Sequence, residues 1–232
     1  MHTRTVELTA GGKGINVARV LRALGDPAPI LIPIGADDRP RYEALLDEEG
    51  ADYRTVAVPG SVRVASIHLE ATVERVTVVN DAGTPMTRGD WDRVRAAAGS
   101  LTRPGDLVLC MGSFPPEMPA GALGALIDDV HAAGGRILVD TAPDWLPEAL
   151  AHGADVVTPN LDEAEATIST EVDDVMDTHT LDVDAVRPRA EQAARAHVDA
   201  PLPIGHGATN SQPWTCPLYT SDAADDPPCV DL

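Results

Sequence analysis

The stretch that decides the fold of this chain runs from residue 10 to residue 18 and reads AGGKGINVA. Three glycines surround Lys13, which is the only lysine; the other 16 of the 17 Lys and Arg residues are arginine. Glycine has no Cβ, so a ligand can approach the backbone, and an ammonium group meets a phosphate or hydroxyl as a point charge. The alternative is a glycine-rich turn with a solvated lysine, and spacing alone leaves both open.

The charge of the chain restricts its partners. Its formal net charge is −20 over 232 residues, with 44% hydrophobic residues that suffice for a sizeable core. Nucleic acids and anionic membranes require a basic surface, so neither is expected as a partner. An anionic substrate would need cations or backbone N–H groups concentrated at one place.

The sequence also predicts the cellular compartment of the protein. The sequence contains no apolar run of membrane-spanning length and no signal-peptide core after Met1. Its three cysteines lack a disulfide-framework spacing, which predicts reduced thiols. We therefore expect a soluble, cytoplasmic protein.

Apolar runs and helix-like segments alternate along the chain, as they do in βα units. This alternation predicts an α/β fold in which a parallel, Rossmann-type sheet carries helices on both faces. One helical face is marked by Val17, Val20, Leu21 and Leu24. The expected strands are 30–34, 53–58, 106–111, 136–139 and 155–157, and the expected helices are 41–49, 90–98, 120–133, 143–152 and 161–168.

Residues 66–71 and 74–80 break this rhythm, because polar and apolar residues alternate there around a short turn. Such a pattern predicts an antiparallel hairpin with one solvated face. We expect residues 1–9 and 60–82 to form a small β-sheet lid, through which two copies could pair. Residues 10–59 and 83–200 form the α/β core, with its C-terminal part truncated.

Residues 201–232 contain many prolines and show no periodicity. Within them, residues 216–226 read CPLYTSDAADD, which resembles a translated sequencing adapter. We expect a disordered, non-native tail; an ordinary acidic disordered tail is the alternative.

Ligands of open parallel sheets bind beyond the carboxyl ends of the strands. Small and polar residues follow the predicted strands at 35–37, 112–113, 140–141 and 159–160. These types suit a polar ligand, although turns favour the same residues.

Two further features have alternative explanations. Arg63 precedes the hairpin and could close over a phosphate, but edge-strand arginines are commonly solvated. Asn160 and Glu163 have the spacing of a helix capping box, and Glu163 could instead hold hydrated Mg²⁺ near a triphosphate.

Residues 11–18, together with Arg19 and Gly25, resemble the first signature of the PfkB, or ribokinase-like, carbohydrate kinases. The branch most similar contains the 1-phosphofructokinases and tagatose-6-phosphate kinases. The resemblance spans about residues 5–170 and includes the segments 60–80, 111–116, 138–141 and 158–163.

The resemblance implies an ATP-dependent phosphoryl transfer to a hydroxyl of a phosphorylated hexose, with Mg²⁺ as a second cofactor. It places Gly12, Lys13 and Asn16 at the sugar phosphate. Arg63 and Ser113 would assist them. Asn160 and Glu163 would order the ATP phosphates and magnesium, with Glu163 as the metal residue.

Two family features are not found in the 232 residues. One is the opening strand, whose aspartate holds sugar hydroxyls. The other is the glycine-rich motif ending in the catalytic aspartate; residues 206–209 echo it without an aspartate. No catalytic base is therefore expected in this chain, which we expect to be an inactive fragment of the family.

Two other functions compete. Residues 12–17 follow a strand-like segment and precede a helix, as in an NAD(P)-type dinucleotide-binding domain, but Val17 stands where a third glycine belongs. A non-catalytic sugar-phosphate-binding remnant is the other alternative.

Overall fold

The computed structural model describes residues 7–70 and 75–159. The chain divides into two compact units, each described here by itself. The first consists of residues 1–101 and 114–122, and the second of residues 102–113 and 123–232. The predicted helix 161–168 and the predicted tail lie outside the described residues, and the proposed lid and core boundaries stay predictions.

The first unit alternates helices and strands and then forms a hairpin. Glycines end two of its helical segments: Gly25 and Gly50 both have positive φ, of 84° and 63°. The elements are α1 (Lys13–Ala23), β1 (Ile30–Gly35), α2 (Arg39–Glu48), β2 (Tyr53–Val58), β3 (Ala65–Glu70), β4 (Arg75–Asn80) and α3 (Arg88–Leu101).

Strands β1 and β2 are parallel, with Ile30 opposite Tyr53 and Gly35 opposite Val58. Strands β3 and β4 are antiparallel, with Ala65 opposite Asn80. The parallel pair and the hairpin were both predicted from the sequence. Residues 7–9, assigned to the lid, have no regular secondary structure, and residues 1–6 lie outside the described part.

The core under α1 is small and well defined. Ala10, Ile15 and Leu46 are buried together. Their half-buried neighbours are aliphatic and aromatic side chains from β1, α2, β2 and the loop between α2 and β2, namely Ile30, Ile32, Tyr42, Leu45, Ala51 and Tyr53. The loop before α1 is therefore attached to the β1–α2–β2 segment by apolar packing.

The helical face predicted for α1 is only partly buried. Val17 and Leu21 are half-buried, but Val20 and Leu24 are 53% and 76% exposed, whereas Ile15 is 4% exposed. At 100° per residue, Val20 lies about 140° around the helix from Ile15. Packing of Ile15 against Ala10 and Leu46 thus directs Val20 away from this core.

The second unit contains a three-stranded parallel sheet in the order β5–β6–β7. Its largest fully buried side chains come from one helix and the central strand: Leu123, Ile127, Val130, Ile137 and Val139. The elements are β5 (Leu107–Met111), α4 (Ala122–Ala132), β6 (Arg136–Asp140), a 3₁₀ turn (Pro143–Trp145), α5 (Leu146–Ala151) and β7 (Val156–Val157).

A reciprocal cap begins α3. The backbone N–H and hydroxyl of Thr87 donate to Asp90 Oδ2 at 2.9 and 2.6 Å, and Asp90 N–H donates to Thr87 Oγ1 at 3.2 Å. Asp90 is buried. The Thr87 hydroxyl bond is the main reason that the pKa of Asp90 lies below its ordinary value. Two backbone donors at the helix start are satisfied by this arrangement.

Thr87→Ala is expected to lower the free energy of unfolding by about 0.5–2 kcal/mol, because a helix cap is lost. Urea denaturation would measure the change. Ser100→Ala, which removes a hydroxyl bonded to Ala97 O at the other end of α3, should change it by less than about 0.5 kcal/mol. Equal effects of the two substitutions would contradict the cap assignment.

The lowered pKa of Asp90 sets how stability changes with pH. Because the pKa of Asp90 is lowered on folding, its stabilising contribution is complete above the ordinary carboxyl pKa and is lost as pH falls through the lowered value. Asp90→Asn should therefore make unfolding less dependent on pH in the acid range, which denaturation curves at several pH values would show.

Candidate functional site

The glycine loop at the start of α1 has a backbone that depends on glycine. Gly12 has φ 129° and ψ 139°, a conformation that residues with a Cβ rarely adopt. The Gly12 carbonyl accepts the backbone N–H groups of Ile15 and Asn16 at 3.0 and 3.1 Å. The chain thus turns sharply into the helix and presents the first-turn N–H groups at its N-terminus.

Three of the predicted site residues lie together at this turn. Gly12 and Asn16 are exposed, and Lys13 between them is half-buried. All three precede or occupy the first turn of an 11-residue helix. The positive end of the helix dipole and the lysine side chain therefore belong to the same short segment, which favours an anion.

Two side chains hold the carbonyl groups of this loop. Arg19 Nη2 donates to Ala10 O at 2.6 Å, and the Tyr42 hydroxyl donates to Gly11 O at 2.6 Å. Burial raises the pKa of Tyr42 to about 12, which keeps its hydroxyl protonated and able to donate. Both carbonyls are thereby occupied by hydrogen bonds from side chains of the protein.

Glu49 in turn holds Arg19. Its two carboxylate oxygens accept from Arg19 Nε and Nη2 at 2.8 and 2.6 Å, a bidentate pair. The hydrogen bond from Arg19 is the largest cause of the lowered pKa of Glu49. Arg19 belongs to the motif that the sequence reveals, but Glu49 and Tyr42 were not predicted. Tyr42 lies 31 positions from Gly11 and Glu49 lies 30 positions from Arg19, so neither pairing leaves a local signal.

Arg63 lies in the same unit, on the segment between β2 and the hairpin. This segment is anchored to residues after β1: Asp37 N–H donates to Gly60 O at 3.2 Å and Val62 N–H to Asp38 Oδ2 at 3.0 Å. The hairpin therefore begins from an anchored segment. Within residues 7–70 and 75–159, the exposed Arg63 guanidinium makes no ion pair.

The same anchor explains a glycine at the end of β1. A Cβ on Gly35 would lie 2.4 Å from the backbone carbon of Ser61 and 2.5 Å from Gly60 O. No side chain fits in that space. Residues 35–37, predicted as a strand end with ligand-binding potential, lie against the segment that leads to Arg63.

The second unit brings two other predicted strand ends together. Gly112 N–H donates to Asp140 O at 2.8 Å, and Thr141 Oγ1 donates to Gly112 O at 2.8 Å. Gly112 has φ 92°, and Ser113 after it is exposed. Ser113 thus follows a turn in which both the N–H and the carbonyl of Gly112 are hydrogen-bonded.

The described residues include neither a reactive thiol nor a cluster of metal ligands. Burial raises the pKa of Cys110 on β5 to about 12, so this thiol is not a thiolate nucleophile at neutral pH. No cluster of His, Cys, Asp and Glu in residues 7–70 and 75–159 could hold a metal ion. Asn160 and Glu163 lie outside those residues. None of the described helices has the length and apolar character of a membrane span.

Comparison with known proteins identifies the family. The model for the pfkB family carbohydrate kinases matches residues 1–193. The 1-phosphofructokinase of Xanthomonas campestris is 33% identical over 166 residues, which are 70% of this chain and 52% of that protein. The ATP-dependent 6-phosphofructokinase isozyme 2 of Escherichia coli is 30% identical over 164 residues, covering 70% of this chain and 52% of that one.

A solved structure agrees with this assignment. Phosphofructokinase-2 from Escherichia coli, determined in complex with fructose-6-phosphate, superimposes with a TM-score of 0.68 at 26% identity. The match covers 81% of this chain and 59% of that one. The chain spans about half the length of the curated relatives that it matches. The predicted ribokinase-like α/β fold is confirmed, the dinucleotide-binding alternative is not supported, and the chain belongs to the pfkB family of carbohydrate kinases.

Proposed function

We propose that the protein is an ATP-dependent sugar-phosphate kinase whose glycine loop holds the phosphate of a phosphorylated hexose. The observation that carries this proposal is the coincidence of Lys13 with the N-terminus of α1. In a chain with a net charge of −20, an anionic substrate requires such a local concentration of positive charge. Relatives named phosphofructokinases support the substrate class.

The remaining roles are assigned by the same proposal. Arg63 and Ser113 assist in substrate binding, and Asn160 and Glu163 order ATP and its magnesium. Mg²⁺ is proposed to arrive with the nucleotide and to meet few carboxylates, which is its usual behaviour. When bound, the ion would neutralise charge on the phosphates.

Lys13→Met is expected to weaken binding of fructose 1-phosphate about ten- to a hundredfold, because a charge-assisted interaction is lost. ATP affinity should hardly change. Isothermal titration calorimetry would measure both. Lys13→Arg should also bind weakly, since a planar fork replaces a compact ammonium. Arg41→Met, which removes an exposed cation of α2, should bind as the unaltered chain does. Equal losses for both ligands would refute the assignment.

The single lysine offers a second measurement. Apart from the α-amino group, an amine-directed acylating reagent has one side-chain target, Lys13. Fructose 1-phosphate should slow acylation of Lys13, as followed by peptide mass spectrometry, whereas ATP should not. Protection by ATP alone would place the lysine in the nucleotide site instead.

We propose that the 232-residue chain binds its substrate without turning it over, because no residue in it is assigned as catalytic base. General-base assistance contributes about 10² to 10⁴ in rate. A coupled ADP-release assay with fructose 1-phosphate, tagatose 6-phosphate and fructose 6-phosphate tests this. Sugar-dependent ADP release well above a control without sugar would show that a residue of this chain supplies the base.

We also propose that two copies pair through the hairpin. One face carries apolar side chains that are half or more exposed: Ile67 at 56%, Leu69 at 57% and Val76 at 50%. The register places Leu69 opposite Val76, so these side chains form one patch. A two-stranded hairpin with an exposed apolar face is marginally stable alone, and a second copy would cover it.

Ile67→Lys combined with Leu69→Lys is expected to leave the chain monomeric, because charged side chains then occupy the apolar patch. Sedimentation equilibrium would measure the molar mass. Val79→Lys, on the opposite face of the hairpin and 57% exposed in the unaltered chain, should leave the molar mass of a dimer. A monomeric unaltered chain would overturn the pairing.

A further inference from the structure

Arg19 is the most extensively connected polar side chain of the described residues. It reaches the loop through Ala10 O at 2.6 Å, the first turn of α1 through Asn16 Oδ1 at 2.7 Å, and the end of α2 through both oxygens of Glu49. Its side chain remains 32% exposed. One guanidinium therefore joins the loop before α1, the first turn of α1 and the end of α2.

The bond to Asn16 determines which end of its amide is available to a ligand. A guanidinium has donors only, so the amide oxygen must face Arg19. The two N–H donors of Asn16 Nδ2 then point away from Arg19, and the residue is exposed. Asn16 is thereby presented as a hydrogen-bond donor, which suits an acceptor such as a phosphate or hydroxyl oxygen.

The guanidinium is itself fixed. Glu49 binds it at two atoms, which sets both the position and the plane of the fork. Arg22 Nη1 donates to Glu49 O at 2.6 Å, so the backbone of Glu49 is also tied to α1. Tyr42 holds the neighbouring carbonyl of Gly11 independently. The loop and the Asn16 amide are thus oriented before any ligand arrives.

We propose that Arg19 is a positioning residue: held by Glu49, it turns the Asn16 amide and the glycine-loop carbonyls so that donors, and no acceptors, face the anionic group of the substrate. This inference rests on the proposed function and deepens it, because it identifies the residues that set the polarity of the sugar-phosphate site. Such orientation reduces the ordering that binding would otherwise require.

A double-mutant cycle tests the coupling. Arg19→Met and Asn16→Ala are made singly and together in the full chain, and fructose 1-phosphate affinity is measured by calorimetry. Arg19→Met should weaken binding about ten- to a hundredfold, the range for a lost charge-assisted network. If Arg19 acts through Asn16, adding Asn16→Ala to Arg19→Met should cost less than about threefold more. Losses that multiply would mean independent, merely structural effects.

A second measurement needs no ligand. The N–H groups of Ile15 and Asn16 bond to Gly12 O, so their hydrogen exchange reports the order of the loop. Arg19→Lys, which keeps the charge but cannot bridge three groups, and Glu49→Gln should both accelerate exchange at residues 11–16 about tenfold or more while leaving β5 and β6 unchanged. Unchanged exchange at the loop would overturn the proposal.

The control and the two modes of failure are separable. Arg95→Met removes another arginine of an ion pair, Arg95–Asp92, from the same unit, and should alter neither sugar-phosphate affinity nor loop exchange. If the unaltered chain fails to bind fructose 1-phosphate, the proposed substrate is wrong. Faster exchange in Arg19→Lys would still show that Arg19 orders the loop. If it binds but Arg19→Met binds equally well, the positioning role is wrong.

Discussion

The bidentate bond between Arg19 and Glu49 is the interaction on which the candidate site depends. It joins the end of α2 to the first turns of α1 and, through Nη2 of the same guanidinium, to the loop that begins the helix. The glycines allow this loop its conformation, but they also increase the conformational entropy that is lost when the loop becomes ordered. A side chain that reaches carbonyl, amide and carboxylate at once supplies the restraint that glycine lacks.

Under the proposed function, the same constraint would allow an acidic chain to hold an anion. A net charge of −20 produces an unfavourable field over most of the surface, so binding must rely on short-range features. At the start of α1 these are backbone N–H groups, the ammonium of Lys13 and the amide of Asn16. Arg19 and Tyr42 donate hydrogen bonds to the carbonyl oxygens of Ala10 and Gly11. In the proposed site, local polarity rather than net charge is therefore the basis of recognition.

The family assignment and the described geometry cover complementary parts of the proposed reaction. The structure describes the glycine loop, the base of the hairpin and the Gly112–Ser113 turn. The residues proposed for ATP and magnesium, Asn160 and Glu163, lie beyond them.

The order of helices and strands was predictable from the sequence because hydrophobic periodicity and glycine positions are local signals. The hairpin was recognisable from its alternation, and the pfkB family from the residues around Lys13. Tertiary structure alone decided which face of α1 is buried, since Ile15 rather than Val20 meets Ala10 and Leu46. It also decided the partner of Arg19, because Glu49 is 30 positions away. Pairing across that distance depends on how α1, β1 and α2 pack, and no short segment of sequence carries that information.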